Sequence, residues 1–355
     1  MSQRSGNPNS SVTAWRRRDF LSAGLSLLAG SALVSMPDGV AAATGEGAGV
    51  GAAAGNLPGA GFGATKTVPV SAREAEFGLK SAATRGLSGN EMQELTVRQV
   101  IERMLKDIPG APFGDTVDTV KSGSIDTVVK GIVTTMFATD AVIEKTIKLG
   151  ANFIIAHEPT FYSHTDETSW LKNDRVFQFK KDLLEKHGIV VWRCHDYLHS
   201  HRPDGVFMGV LTALGWLKYY NQSDPPLLTV PAIPLGELVK KVKKQLGVEK
   251  VKVIGNPLQS CQRIVLSPGA AGGRSQIGEL QKYRPDLLIV GELNEWETSE
   301  YIRDARYQGE KVSLLVLGHA ISEEPGLQWM VSWLTPKVPE VKVTHIPSGD
   351  AFSWA

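Results

Sequence analysis

The sequence predicts an α/β fold of two similar lobes with a ligand site in the cleft between them. Three observations carry this. The stretch Gly150-Ala-Asn-Phe-Ile-Ile-Ala-His157-Glu158-Pro159 is an unbroken apolar run that ends in two metal-capable side chains and is closed by proline. Such runs read as buried parallel strands, whose carboxyl ends are where open α/β sheets collect ligands. Leu314-Leu-Val-Leu-Gly318-His319-Ala-Ile-Ser322-Glu323-Glu324-Pro325-Gly326 repeats the pattern, an apolar run followed by histidine and then a carboxylate four positions on. A lone His-Glu at a strand end is ordinary, and the second occurrence is what makes the pair a signal. Finally, two strand–helix–strand pieces look like versions of each other. Val128 to Val133, Asp140 to Leu149 and Phe153 to Ala156 form one, and Arg263 to Leu266, Gln276 to Tyr283 and Leu287 to Val290 the other. The second ends in Gly291-Glu292. Crossovers in such units are right-handed.

Residues 1–43 read as a targeting segment outside the fold. Trp15-Arg16-Arg17-Arg18-Asp19-Phe20-Leu21 resembles a twin-arginine export motif, Leu21 to Met36 serves as its apolar region, and Val40-Ala41-Ala42-Ala43 offers a cleavage site. The apolar region is too short and too rich in small residues to span a membrane. No cysteine follows it, so no membrane anchor is expected after cleavage. The expected location is periplasmic or extracellular. Residues 44–94 are a Gly/Ala-rich linker and a poorly patterned segment.

The domain, 95–355, divides into lobe one at about 95–220 and lobe two at about 221–355. Thr96 caps a helix of apolar periodicity, Val97-Arg-Gln-Val-Ile-Glu-Arg-Met-Leu, which stops before Pro109-Gly110. Asp118 to Gly123 reads as a loop, and Val190-Val-Trp-Arg-Cys194 as a buried strand. Lys172 to His187, Gly205 to Leu214 and Leu235 to Leu246 read as helices, the last basic and amphipathic with solvated lysines. Ser267-Pro-Gly269-Ala-Ala-Gly272-Gly273-Arg274 has neither a P-loop ending nor dinucleotide spacing, and is a tight turn or an anion cradle at a helix start. In that second case Arg274 can meet an anionic substrate. Ser322 suits an N-cap and Pro325 a first turn, so a helix is expected to start there with Glu323 at its positive end. Cys194 and Cys261 are expected as buried free thiols, and Trp329 and Trp333 as packing residues.

Composition suits a globular enzyme-sized domain, with 42% hydrophobic and 21% charged residues. A net charge of +1 gives no reason to expect nucleic acid or an anionic membrane surface as the main partner.

The two motif stretches resemble the Nif-three-like dinuclear-metal proteins, labelled GTP cyclohydrolase I type 2 homologues. That family carries patterns of the type G-A-(D/N)-x-I-I-x-H-H-P and G-(E/D)…G-H-x-x-(S/T)-E-x-x-G. This chain supplies Gly150 to Pro159, Gly291-Glu292 and Gly318 to Gly326, and the resemblance runs from about Thr96 to the C-terminus. It departs twice. Glu158 stands where the family has a second histidine. In the middle motif, His-Thr-x-Leu-Asp in the family, His195-Asp196-Tyr197-Leu198-His199 puts His199 where the family has its aspartate. The set His157, Glu158, His199, His319 and Glu323 therefore keeps three imidazoles and two carboxylates in a compensated exchange. Asp196, His195 and His201 stand close enough to be the middle ligand instead.

The resemblance implies two divalent ions (Zn, Fe, Mn or Co), a metal-bridging hydroxide and hydrolysis of a small molecule. It also implies a homo-oligomer, a ring-like hexamer. Glu292 and Glu295 resemble its acidic segment and are expected to orient a water or an imidazole, and His195 to shuttle a proton. The cyclohydrolase label fits poorly with export, since GTP is not expected outside the cytoplasm. The alternative is a non-catalytic metal-binding ring for storage, sensing or scaffolding.

Overall fold

The computed structural model describes residues 94–353, so the expected export segment, 1–43, and nearly all of the expected linker lie outside the described residues. Among the described residues no helix is long and apolar enough to cross a membrane.

The chain opens with α1 (Val97–Leu105), where Thr96 and Gln99 cap each other reciprocally. It continues through β1 (Val120–Ser122), β2 (Ile132–Thr135), α2 (Asp140–Lys148), β3 (Phe153–Ala156), α3 (Arg175–Lys186) and β4 (Val190–Arg193). Two helices follow, α4 (Asp196–Ser200) and α5 (Gly205–Leu214). The second half runs β5 (Leu227–Pro234), α6 (Leu235–Leu246), β6 (Lys252–Ile254), β7 (Ser260–Ser267), α7 (Gly273–Tyr283), β8 (Leu287–Val290), α8 (Glu300–Tyr307) and β9 (Ser313–Val316). The long α9 (His319–Leu334) and β10 (Val343–His345) complete it.

Two five-stranded sheets result, ordered β1-β4-β3-β2-β10 and β5-β7-β8-β9-β6. At the heart of each are three parallel strands joined by helices, β2-β3-β4 and β7-β8-β9. The two similar lobes expected from sequence are present, but the boundary near residue 220 is crossed at the end. β10 leaves the second half and pairs in parallel with β2 of the first sheet. Sequence could not place it, because three residues carry too little pattern to choose a sheet. Two smaller readings change as well. The first parallel strand starts at Ile132, Val128 being only a lone bridge partner of Thr96. The expected loop from Asp118 to Gly123 contains the edge strand β1, antiparallel to β4.

The apolar runs owe their lack of alternation to burial of both sheet faces. Phe153 and Ile155 of β3 face a core shared by both sheets, while Ile154 and Ala156 face the outer layer with α2 and α3. In the second sheet Leu287 and Ile289 face the shared core, and Leu288 and Val290 the outer layer with α7. α5 and α9 cross within the shared core. A side chain at Gly209 would sit 2.3 Å from the Pro325 carbonyl oxygen, and one at Gly326 2.6 Å from Val206 Cα, so the two backbones touch directly. This crossing sets where α9 carries its first turn relative to α4.

Gly209→Ala is therefore expected to destabilise the domain by about 1–3 kcal/mol through overpacking. The check is the denaturant midpoint at unchanged slope, and an unshifted midpoint would contradict the backbone contact.

Candidate metal centre

The strand ends converge. His157 and Glu158 follow β3, His195 follows β4, His199 lies on α4, and His319 and Glu323 occupy successive turns of α9. The expected helix start at Ser322 is corrected. α9 begins at His319, with Gly318 as its N-cap at φ 97°, and Pro325 lies inside the helix. Ser322 serves another purpose, its hydroxyl donating to the His319 carbonyl and accepting from the Gly269 N–H. The earlier start puts His319 and Glu323 one turn apart on one face, as a four-residue spacing requires.

The side chains make one cluster. His157 Nε2 lies 3.3 Å from Glu323 Oε2, and His319 Nε2 lies 3.2 Å from that same oxygen and 3.3 Å from Glu158 Oε1. His195 Nε2 is 3.7 Å from Glu158 Oε1, and His199 Nε2 is 3.9 Å from Glu323 Oε1. All five sequence-predicted metal residues meet here. Of the candidates for the middle position, both His199 and His195 reach the centre. Asp196 turns away to Thr116 Oγ1 and the Val117 N–H, and His201 packs edge-on against Trp329 and Trp333.

Every imidazole is oriented in the same sense. Nδ1 faces an acceptor outside the cluster, the Cys194 carbonyl for His157, Asp196 for His195, Asp204 for His199 and Glu292 for His319. An acceptor at Nδ1 fixes the proton there and turns the Nε2 lone pair inward, as ligating histidines need. His157 is fully buried and its Nε2 has no hydrogen-bond partner. A buried orphan nitrogen among inward-facing imidazoles and carboxylates fits a divalent cation, which takes mixed N/O donors. The groups His157, His195, His199 and His157, Glu158, Glu323 each bring their donor atoms within 4.8 Å.

Burial sets the protonation states. It opposes charge on His157, but the Glu323 and Glu158 carboxylates outweigh it and hold that imidazole at about 8. Glu158 is likewise buried, yet His319, His157 and His195 bring it down to about 2. His319, against its own burial, is raised to about 12 by Glu158, Glu292 and Glu323. His195 goes the other way. Burial, with His157 and His199 nearby, lowers it to about 4 in spite of Asp196.

Sequence reading missed the supports. Arg193, fully buried at the end of β4, donates to Glu158 Oε2 at 3.2 Å, to the His157 carbonyl at 3.1 Å and to the His164 carbonyl. A charged residue closing an apolar strand must be paired, and that was the available signal. Asp118 accepts the His195 and Tyr197 N–H groups at 2.7 and 2.8 Å and so holds the start of α4. Asp204 caps α5 with one oxygen and holds His199 with the other, and only its capping role shows in sequence.

The glycine-rich turn resolves against an external anion. The Gly273 N–H at the start of α7 is taken by Glu297 at 3.0 Å. At Gly269 a Cβ would stand 2.1 Å from Glu323 Oε1, so the turn is the floor beneath that carboxylate. Arg274 is exposed and is not among the residues of the cleft. Glu292 sits 3.3 Å from His319 Nδ1 and is open to solvent. Glu295 is not in the cluster, being exposed and ion-paired with Lys252 at 2.6 Å. Cys194 and Cys261 are buried free thiols, and Trp329 and Trp333 stack on each other.

Above the cluster opens a cleft of about 960 Å³. Glu158, Glu292 and His319 form part of its lining, together with Phe137, Tyr162 and the segment Ser348–Ser353. Glu324 fixes that segment by accepting the Ser348 N–H and hydroxyl.

Residues 97–350 match the family described as Duf34/NIF3 (NGG1p interacting factor 3). A "GTP cyclohydrolase 1 type 2 homolog" of Escherichia coli (strain K12) is 26% identical over 222 residues, 61% of this chain and 84% of that one. Its counterpart in Chlamydia trachomatis is 22% identical over 217 residues, 60% of this chain and 82% of that one. Among solved structures, Staphylococcus aureus protein SA1388 superposes with a TM-score of 0.60 at 18% identity, covering 74% of this chain and 99% of that one. A Bacillus cereus protein related to NIF3 gives 0.60 at 13%, covering 74% and 100%. At these identities the structures speak for the fold alone.

Without metal, His157 at about 8 and His319 at about 12 both hold protons at neutral pH, and a cation at Nε2 displaces them. Apparent metal affinity should therefore rise steeply with pH up to about 8 and less steeply beyond it, where only His319 still has a proton to release. Buffer-dependent heats of zinc binding across that range check the proton release, and a pH-independent affinity would contradict it.

Proposed function

The chain belongs to the Duf34/NIF3 family, and from that premise we propose that it is a metal-dependent hydrolase of a small molecule, with the ions held by His157, Glu158, His199, His319 and Glu323. The observation that carries the reading is the inward-facing cluster at the base of a cleft large enough for a substrate. When bound, two divalent cations supply Lewis acidity and a water of lowered pKa.

The chain's own residues do the rest. Glu292 is the acid beside the cluster that stays open to the cleft, and its contact with His319 keeps it ionised below the usual carboxylate range. It accepts and relays a proton. His195, neutral and turned inward, is poorly placed to exchange protons with the cleft, so the shuttle role expected for it passes to Glu292. Phe137 and Tyr162 give the mouth apolar faces that exclude water around a bound substrate.

Metal-loaded protein assayed on amide, phosphoester and ring C=N substrates tests this. With a substrate found, Glu292→Gln should lower kcat by about 10²–10⁴-fold at unchanged metal content. His319→Ala should lose both metal and activity. Full metal content without turnover on any of these classes would favour the non-catalytic ring instead.

The same reading places the mature domain outside the cytoplasm, on the strength of Trp15 to Leu21 and the A-x-A site before residue 44, and as a homohexamer. A reporter fused behind residues 1–43 should be exported, and Arg17→Lys with Arg18→Lys should abolish export. Export that survives the double change would remove the twin-arginine assignment.

A further inference from the structure

His195 has no ligand role in the set above, yet its geometry is that of a ligand. The rings of His157, His195 and His199 form a nearly equilateral triangle, with centroids 4.8, 5.1 and 4.9 Å apart. Each ring has its Nδ1 against a fixed acceptor, at 3.1 Å for Cys194 O, 3.1 Å for Asp196 Oδ1 and 3.0 Å for Asp204 Oδ2. That leaves the Nε2 side of each ring facing inward, with one ring nitrogen of each within 4.8 Å of the others. Where the rings are neutral these nitrogens cannot satisfy each other, since each offers an acceptor and none a donor, and a proton on His157 turns to the Glu323 carboxylate and not to the other two rings. The fully buried His157 Nε2 makes no well-aligned hydrogen bond, its close neighbour being the Glu323 carboxylate at 3.3 Å.

The support behind His195 is built to hold that pose. Asp118 binds its backbone N–H and that of Tyr197. Asp196, which takes its Nδ1, is itself held by Thr116 Oγ1 at 2.8 Å and the Val117 N–H at 3.2 Å. A histidine serving only as a solvent-facing proton carrier needs none of this.

We infer that His195 ligates metal in this chain, completing an all-imidazole position with His157 and His199 beside a carboxylate-rich position at Glu158, Glu323 and His319. The inference deepens the proposed metal centre and rests on it. The consequence is chemical asymmetry. Three neutral imidazoles suit zinc, cobalt, nickel or copper, whereas carboxylate-rich donors also suit manganese. The two positions therefore select differently, and zinc fills both while manganese fills one.

The test is metal uptake by the metal-free full-length protein, read by elemental analysis after equilibration with zinc or with manganese alone. Expected are about two zinc ions but about one manganese ion per chain, with His195→Ala reducing zinc to about one and leaving manganese unchanged. Zinc X-ray absorption on the unmodified protein at one equivalent provides a readout that does not depend on the variant folding. It should show about three imidazole nitrogens around the ion. An oxygen-dominated shell at one equivalent overturns the inference. So does His195→Ala protein that keeps full zinc at unchanged affinity, and in that case the metal centre itself stands. Unmodified protein that takes up neither metal overturns this inference and the metal-dependent hydrolase together.

Discussion

The structure depends on keeping His157, Glu158, Glu323 and Arg193 charged or polar while each is less than a tenth exposed. Burying an ion costs several kcal/mol even after relaxation, and the cost is offset only by close, well-aligned partners. Glu158 lies between Arg193 on one oxygen and His319 on the other, and Glu323 between His157 and His319. Several local features follow from this requirement. The strand β4 ends in arginine, the turn below Glu323 is glycine because any side chain would strike the carboxylate, and α9 starts at His319 so that both of its donors face one way.

The two departures from the family pattern each have a support of their own. A carboxylate at 158 finds a guanidinium in Arg193, and an imidazole at 199 finds an acceptor in Asp204. These contacts support the reading of an exchange that moves a carboxylate while keeping the donor count. They leave the rings of His157, His195 and His199 grouped together, with His319 among the carboxylates of Glu158 and Glu323. Charge balance follows from the same arrangement. At neutral pH His157 and His319 carry protons that answer Glu158 and Glu323, and His195 stays neutral among its neighbours.

The fold brings these groups together by symmetry of construction. Both lobes present the carboxyl ends of parallel strands to a common cleft, and the shared core of α5, α6 and α9 locks the sheets on either side of it. The last strand, β10, ties the second half back onto the first sheet. From there the segment that lines the cleft is held by Glu324, the neighbour of the buried Glu323, so the wall of the pocket and its floor are anchored through adjacent residues of one helix.

The amino-acid sequence by itself determined the periodic elements, the doubled strand–helix–strand pattern and the side chains that carry the chemistry. Those are local properties: β3 and β8 read correctly to the residue because both faces of each are buried, and Thr96 and Gln99 cap α1 through a contact of three positions. Tertiary structure decided what depends on meeting across the chain. It chose His199 over Asp196, turned His195 inward, sent Glu295 to Lys252, and moved the start of α9 because the Ser322 hydroxyl was needed by Gly269. It also assigned Arg193 and Asp204 their partners. A side chain's type limits what it can bind, but its direction is set by packing, and packing at this site joins residues separated by more than a hundred positions.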